Sequence, residues 1–176
     1  MPAPTSSETA KPCVVVIGVS GTGKTTTARL LAERLGLPFA DADDFHSAAN
    51  IAKMTAGVAL SDADREPWLA SVGRWLHDRE SRGSGGVLAC SALKRRYRDV
   101  LRAAAPDTVF LLLVAERELL TRRMSHRHGH YMPVSLIESQ LAALEPLDES
   151  ERGLTLRADR PPELLTDQAA AFLGAR

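Results

Sequence analysis

Gly18-Val19-Ser20-Gly21-Thr22-Gly23-Lys24-Thr25 matches the spacing G-x-x-x-x-G-K-[ST] in full, and that spacing suits a loop wrapped around nucleotide phosphates. Glycines allow the backbone to turn successive N–H groups inward as an anion nest. A helix starting near Lys24 would add the positive end of its dipole. The Lys24 ammonium can bridge β- and γ-phosphates, and the Thr25 hydroxyl can coordinate Mg²⁺. Residues 18–26, with Thr26 closing the run, are therefore the expected ATP-binding set.

Such a loop binds a nucleotide triphosphate without fixing a reaction, so the next question is where the magnesium-side carboxylate lies. Two of the apolar runs downstream end in Cys90-Ser91 and Ala115-Glu116, which do not supply it in the usual way. Asp41-Ala42-Asp43-Asp44 follows another apolar run, and carboxyl ends of parallel strands face the ligand crevice. In an extended segment Asp41 and Asp43 point the same way. Asp41 is expected to hold Mg²⁺ with Thr25, and Asp43 to accept the proton of an attacking hydroxyl. Asp44 is expected to cap a helix before Phe45-His46.

Arg122-Arg-Met-Ser-His-Arg-His-Gly-His-Tyr131 is the second chemical stretch. Phosphoryl transfer spreads charge over equatorial oxygens, which an arginine on a mobile segment can neutralise. Arg127, beside Gly129 as a hinge, is the expected residue in a lid spanning about 122–134 that keeps water out. Arg123, one helical turn earlier, is expected on a phosphate or stacked on adenine, and Arg122 on the solvated helix surface. His126, His128 and His130 alternate without a nearby carboxylate or cysteine, which argues against a metal site there.

The elements that must position these groups are short. Continuous apolar runs at Cys13–Ile17, Pro38–Ala40, Gly86–Cys90, Val109–Val114 and Leu154–Leu156 predict parallel strands covered on both faces. Between them, Ala28, Leu31, Ala32 and Leu35 make one helix face with Gly36 as its stop. Ser61-Asp-Ala-Asp64 resembles a capping box ahead of Leu69, Val72 and Leu76, and a last helix follows Pro161-Pro162. Strand–helix alternation predicts a three-layer α/β domain. The 176 residues fit one domain over 12–176, with 1–11 as a disordered tail.

Lys+Arg and Asp+Glu are both 22, so no global field attracts nucleic acid or an anionic membrane. No apolar run approaches a bilayer span and the start lacks a signal-peptide pattern, so a cytoplasmic protein is expected. Cys13 and Cys90 fall near opposite ends of the expected sheet, too far apart to bridge, and read as reduced core residues.

Taken in order, the phosphate loop, Asp41-Ala-Asp43-Asp-Phe-His46, Asn50-Ile-Ala-Lys-Met54, Leu60-Ser-Asp-Ala-Asp-Arg65-Glu-Pro-Trp68, Cys90-Ser-Ala-Leu-Lys94-Arg-Arg-Tyr97 and His126-Arg-His-Gly-His130 resemble the small P-loop gluconokinases. The resemblance runs from about Cys13 to the last helix. It implies transfer of phosphate from ATP to D-gluconate with Mg²⁺, a core sheet ordered 2-3-1-4-5, and often a homodimer. Ala42 stands where that family often has glycine, and Ser47 where proline is common. A sugar acid offers one carboxylate and several hydroxyls, so its pocket needs cations and hydrogen-bonding groups. His46, Lys53, Arg65, Lys94 and His130 are the candidates. Lys53 and Lys94 also read as surface cations, and Arg65 as an ion-pair partner of Asp62 or Asp64. Trp68 and Trp75 share one side of a helix and read as core or interface anchors. Shikimate or another small hydroxy acid is the alternative acceptor.

Overall fold

The computed structural model describes residues 9–126 and 136–174. In chain order its strands are β1 (Cys13–Ile17), β2 (Phe39–Asp41), β3 (Gly86–Cys90), β4 (Val109–Val114) and β5 (Gly153–Arg157). The helices are α1 (Lys24–Leu35), α2 (Ala48–Thr55), α3 (Asp62–Ser81), α4 (Arg95–Ala104), α5 (Arg117–Ser125), α6 (Ile137–Ala143) and α7 (Pro162–Gly174), with a 3-10 turn at Ala42–Phe45.

Cys-Val-Val-Val-Ile has no polar side chain to place and mostly β-branched residues, so β1 takes the centre of the sheet and is buried throughout. All pairings are parallel and the order is β2-β3-β1-β4-β5, as the resemblance implied. The pleat then sorts side chains by parity. Val15 and Ile17 join Leu88, Phe110 and Leu112 under α3 and α4. Val14 and Val16 join Val87, Leu111 and Leu113 under α1 and α7. Two cores on the two faces of one sheet make the expected three layers.

Two strand bounds differ from the sequence expectation. β2 begins and ends one residue later than expected, which makes Asp41 the last strand residue. β5 is an edge strand with only Leu156 buried, so it is not the continuous apolar run of a central strand. The caps agree with expectation. Ser61 Oγ accepts from Asp64 N–H at 3.1 Å, and Asp64 Oδ2 accepts from Ser61 N–H at 2.9 Å. Gly36 ends α1 at φ 65°, a left-handed conformation open to glycine, and Leu37 N–H closes back onto Ala32 O at 2.9 Å. Register places Cys13 opposite Gly86 and Cys90 opposite Ile17, so the two free thiols lie at opposite ends of the strands. Trp68 and Trp75 both pack into the core beneath α3.

A third apolar cluster matters most for the site. Val19 of the phosphate loop, Leu93 after β3, Leu120 and Met124 of α5, and Ile137 of α6 pack together. It seats α5 and α6 against the carboxyl ends of the strands. Among the described residues no helix is long and apolar enough to cross a membrane.

Candidate active site

The phosphate loop leaves β1 at Gly18, whose φ is 155°; a Cβ there would stand 2.7 Å from Leu113 O, so a side chain cannot replace the hydrogen. Helix α1 starts at Gly23 with no side-chain cap and no acidic residue in its first turn. Its positive end is thus left to face an anion, unlike α3, which Ser61 and Asp64 close. Lys24 Nζ donates to Val19 O at 3.2 Å, folding the ammonium over the loop.

The Thr25 hydroxyl donates to Asp41 Oδ2 at 2.9 Å. The other carboxylate oxygen of Asp41 accepts from Asp43 N–H at 3.0 Å. That second bond corrects the expected geometry. Asp43 is not in an extended segment with Asp41, because Asp41 caps the 3-10 turn that carries Asp43. The caps here are Asp41 for that turn and Ser47 for α2, whose Oγ accepts from Asn50 N–H at 3.1 Å, so Asp44 is not the cap expected of it. Asp41 and Asp43 nonetheless line one recess with Ser20, Lys24, Thr25, Ser91 and Gln140.

Beside this recess a larger cleft of about 640 Å³ opens between the phosphate loop, α5 and the segment leading into α7. Thr26, Arg122, Arg123, His126, Arg160 and Pro162 are among its walls. Arg123 donates to Gly21 O at 3.1 Å and to Ala158 O at 2.7 Å, so its guanidinium staples the loop to the strand end behind it while lining the cleft. Arg122 is exposed, as expected, yet also stands at the rim.

On the other side of the recess lies a second hollow lined by His46, Met54, Arg65, Ser91, Ser139 and Gln140 among others. His46 stacks on Trp68 with ring centroids 4.3 Å apart and planes 11° apart. The Trp68 indole N–H donates to Ala42 O at 2.7 Å, which fixes the platform. Burial, with the Arg65 charge adding to it, pushes the His46 imidazole down to about 4 against a smaller upward pull from Asp41, so the ring is neutral at pH 7. Arg65 makes neither ion pair considered for it; its guanidinium lies 5.4 Å from the centre of the Tyr97 ring.

Lys53 and Lys94 are not brought to this hollow. Lys53 Nζ sits 2.9 Å from both oxygens of Asp64, and Lys94 Nζ sits 3.6 Å from Asp62 Oδ1. The reason is helix capping: α3 needs acidic residues in its first turn, and those carboxylates draw the nearest lysines. The hydroxyl of Tyr97 and the guanidinium of Arg96 also bind Asp62. Arg127, His128 and His130 lie outside the described residues.

Sequence reasoning missed two groups. Gln140 of α6, buried, accepts the Ser20 N–H on Oε1 at 2.6 Å and walls both the phosphate recess and the hollow. The spacing of Ile137, Gln140 and Leu141 hints at a helix, but nothing in the sequence marks the amide. Arg98 and Glu151 form a fully buried pair, Nε to Oε1 at 2.7 Å and Nη2 to Oε2 at 3.0 Å. The guanidinium also donates to Leu93 O, Glu145 O and Pro146 O. It thereby ties the β3–α4 loop, which lines the site, to the chain after α6. Burial pushes the Glu151 carboxyl up, but hydrogen bonds from Arg98 and Asp148 N–H with the arginine charges outweigh it and hold it below its ordinary value.

A family model described as an AAA domain matches residues 13–147. The gluconokinase of Gluconobacter oxydans is 44% identical over 155 residues, covering 88% of this chain and 87% of that protein. The crystal structure of a sugar kinase from a Janibacter species superposes with a TM-score of 0.89 at 49% identity, over 93% of this chain and 95% of the other. That of a gluconokinase from Sinorhizobium meliloti gives 0.84 at 41%, over 94% and 93%.

Proposed function

The chain belongs to the gluconokinase family of P-loop kinases, and on that premise we propose that it transfers the γ-phosphate of ATP to the C6 hydroxyl of D-gluconate, giving 6-phospho-D-gluconate and ADP. One observation carries the mechanism: the phosphate recess and the hollow meet at Ser91 and Gln140, with the Asp43 carboxylate on the wall of the recess. The hollow is small, about 20 Å³, so an acceptor would lie against its lining residues and present a hydroxyl to a phosphate held by the loop.

In the proposed reaction the gluconate O6 attacks the γ-phosphorus, the bond to the β–γ bridging oxygen breaks, and Asp43 takes the hydroxyl proton. Lys24 and the α1 terminus hold the phosphates, so charge moving onto the leaving ADP meets fixed donors. Arg65 supplies a cation for the acceptor carboxylate, and His46 a hydrogen bond to the sugar acid. Thr25 and Asp41 offer hard oxygen donors 2.9 Å apart beside the phosphate site, a donor set that fits Mg²⁺. When bound, that ion would neutralise charge on the β- and γ-phosphate oxygens. Arg127 and His130 belong to the proposed lid over 122–134, within one kinase domain spanning 12–176.

Shikimate is disfavoured as acceptor. Several relatives at 38–44% identity carry the name gluconokinase or probable gluconokinase, and β3 leads into Cys90-Ser-Ala-Leu-Lys94 in place of a glycine-rich acceptor loop. The balanced charge supports a small-molecule substrate over nucleic acid or a membrane surface, and a metabolite kinase using ATP belongs in the cytoplasm; a homodimer is the assembly we propose. Release of ADP from ATP and Mg²⁺ should require D-gluconate. Glucose, shikimate and AMP should give the background rate. Turnover with shikimate and none with gluconate would overturn the acceptor assignment.

A further inference from the structure

The Asn50 side chain and the Asp64 carbonyl, which meet behind the hollow, determine which ring nitrogen of His46 carries the proton. Asn50, buried on α2, places its amide nitrogen 2.9 Å from Asp64 O and 3.3 Å from His46 Nδ1. A backbone carbonyl can only accept, so the group facing Asp64 must be the NH₂ and not the amide oxygen. The same NH₂ faces the imidazole with its other hydrogen. His46 Nδ1 is then an acceptor, and in a neutral ring the proton resides on Nε2. The Trp68 indole covers one ring face, and the stack is held by the bond from its N–H to Ala42 O. Nε2 is the ring nitrogen left to serve the hollow that His46 lines.

We propose that Asn50 is a positioning residue for the acceptor site, locking His46 as the Nε2–H tautomer so that it donates to an oxygen of the sugar acid and cannot serve as the base. This rests on the gluconate reading and adds to it a division of labour. A ring that presents N–H cannot also take the hydroxyl proton at that atom, which leaves the proton to Asp43. An imidazolium would set Nδ1–H against the Asn50 NH₂, donor against donor, so the arrangement resists protonation. The charged groups acting on the ring agree on balance. Arg65 of α3 opposes a second positive charge, while Asp41 of β2 favours it more weakly.

The test is ¹⁵N spectroscopy of histidine-labelled protein, with the His46 signals assigned by their loss in His46→Gln. Wild type should show a protonated Nε2 and an unprotonated Nδ1 from pH 5.5 to 8, with no titration of that ring. A protonated Nδ1 would overturn the proposal. Asn50→Asp places a carboxylate opposite Nδ1 and should move a proton onto it. It should also raise the gluconate KM roughly tenfold while leaving the ATP KM within about twofold, the loss of one hydrogen bond's worth of affinity. A folded Asn50→Asp enzyme with an unchanged tautomer or an unchanged gluconate KM would refute the role. If that variant fails to fold, the wild-type spectrum still decides. A wrong acceptor would appear differently, as absent turnover with gluconate in a protein whose His46 spectrum is as expected.

Discussion

The phosphate recess and the acceptor hollow share Ser91 and Gln140 and are otherwise built on opposite plans. The phosphate side is backbone: one continuous loop, an uncapped helix end and a lysine folded over it. The acceptor side is side chain: His46 after the 3-10 turn, Arg65 of α3, and Ser139 and Gln140 of α6 converge from three parts of the chain. A phosphate is the same anion in every nucleotide, so a fixed backbone nest suffices. A polyhydroxy acid must be told from its neighbours, which takes oriented donors and therefore a supporting layer.

That contrast can be broken experimentally, beginning with the largest effect. Asp43→Asn should lower kcat by roughly 10²–10⁴-fold, and Lys24→Ala by roughly 10²–10³-fold. Both should keep the far-ultraviolet circular dichroism of wild type, with ADP release as the readout. Normal turnover in Asp43→Asn would remove it from the role of base.

The support behind the site should fail by a different route, in stability. Arg98→Ala leaves the buried Glu151 without its two-point partner, with Arg95 Nε still 3.8 Å away, and should cost about 3–5 kcal/mol in urea unfolding. Glu151 is held below its ordinary 4.5, so its contribution is present above that pH and lost as pH falls through the depressed value. Acid sensitivity in that range should diminish in the variant.

Next, Arg65→Ala should raise the gluconate KM roughly 10–100-fold with a smaller change in kcat, the loss of one charge-assisted contact. Lys53→Ala, which disrupts only a pairing with Asp64, should change KM by less than about twofold. Equal effects from the two would erase the distinction drawn between the hollow and its surroundings. His46 should add a pH effect of its own. Its value near 4 lies below its ordinary 6.5, so stability should decline as pH falls between those values, and His46→Gln should flatten that slope.

The unequal construction of the two regions also explains what the sequence revealed. Gly18 to Thr25 is contiguous, so its spacing carried the geometry, and the central strands were legible because burial on both faces leaves a continuous apolar run. The place of Asp41 beside the phosphate loop was legible because that residue closes an apolar run at the strand end that faces the crevice. Its second bond, which turns Asp43 into the 3-10 turn, was not, because capping depends on where the chain bends. Lys53 and Lys94 read equally as substrate cations and as surface cations, because the sequence shows neither the Asp64 carboxylate beside the first nor the Asp62 carboxylate beside the second. Gln140 stands 120 residues from Ser20, and Arg98 stands 53 from Glu151; no local period connects such pairs, and only the folded chain brings them together.

The stacking of Trp68 on His46 has an optical consequence. The chain has two tryptophans, and Trp75 packs against Gly86, at the opposite end of the strands from the reacting groups. One indole therefore lies against a wall residue of the acceptor hollow while the other reports on a distant core. Emission from Trp68 should respond when a sugar acid contacts the imidazole lying against it, and emission from Trp75 should stay constant as an internal reference. Without any added dye, the protein can signal occupancy of one half of its cleft independently of the other.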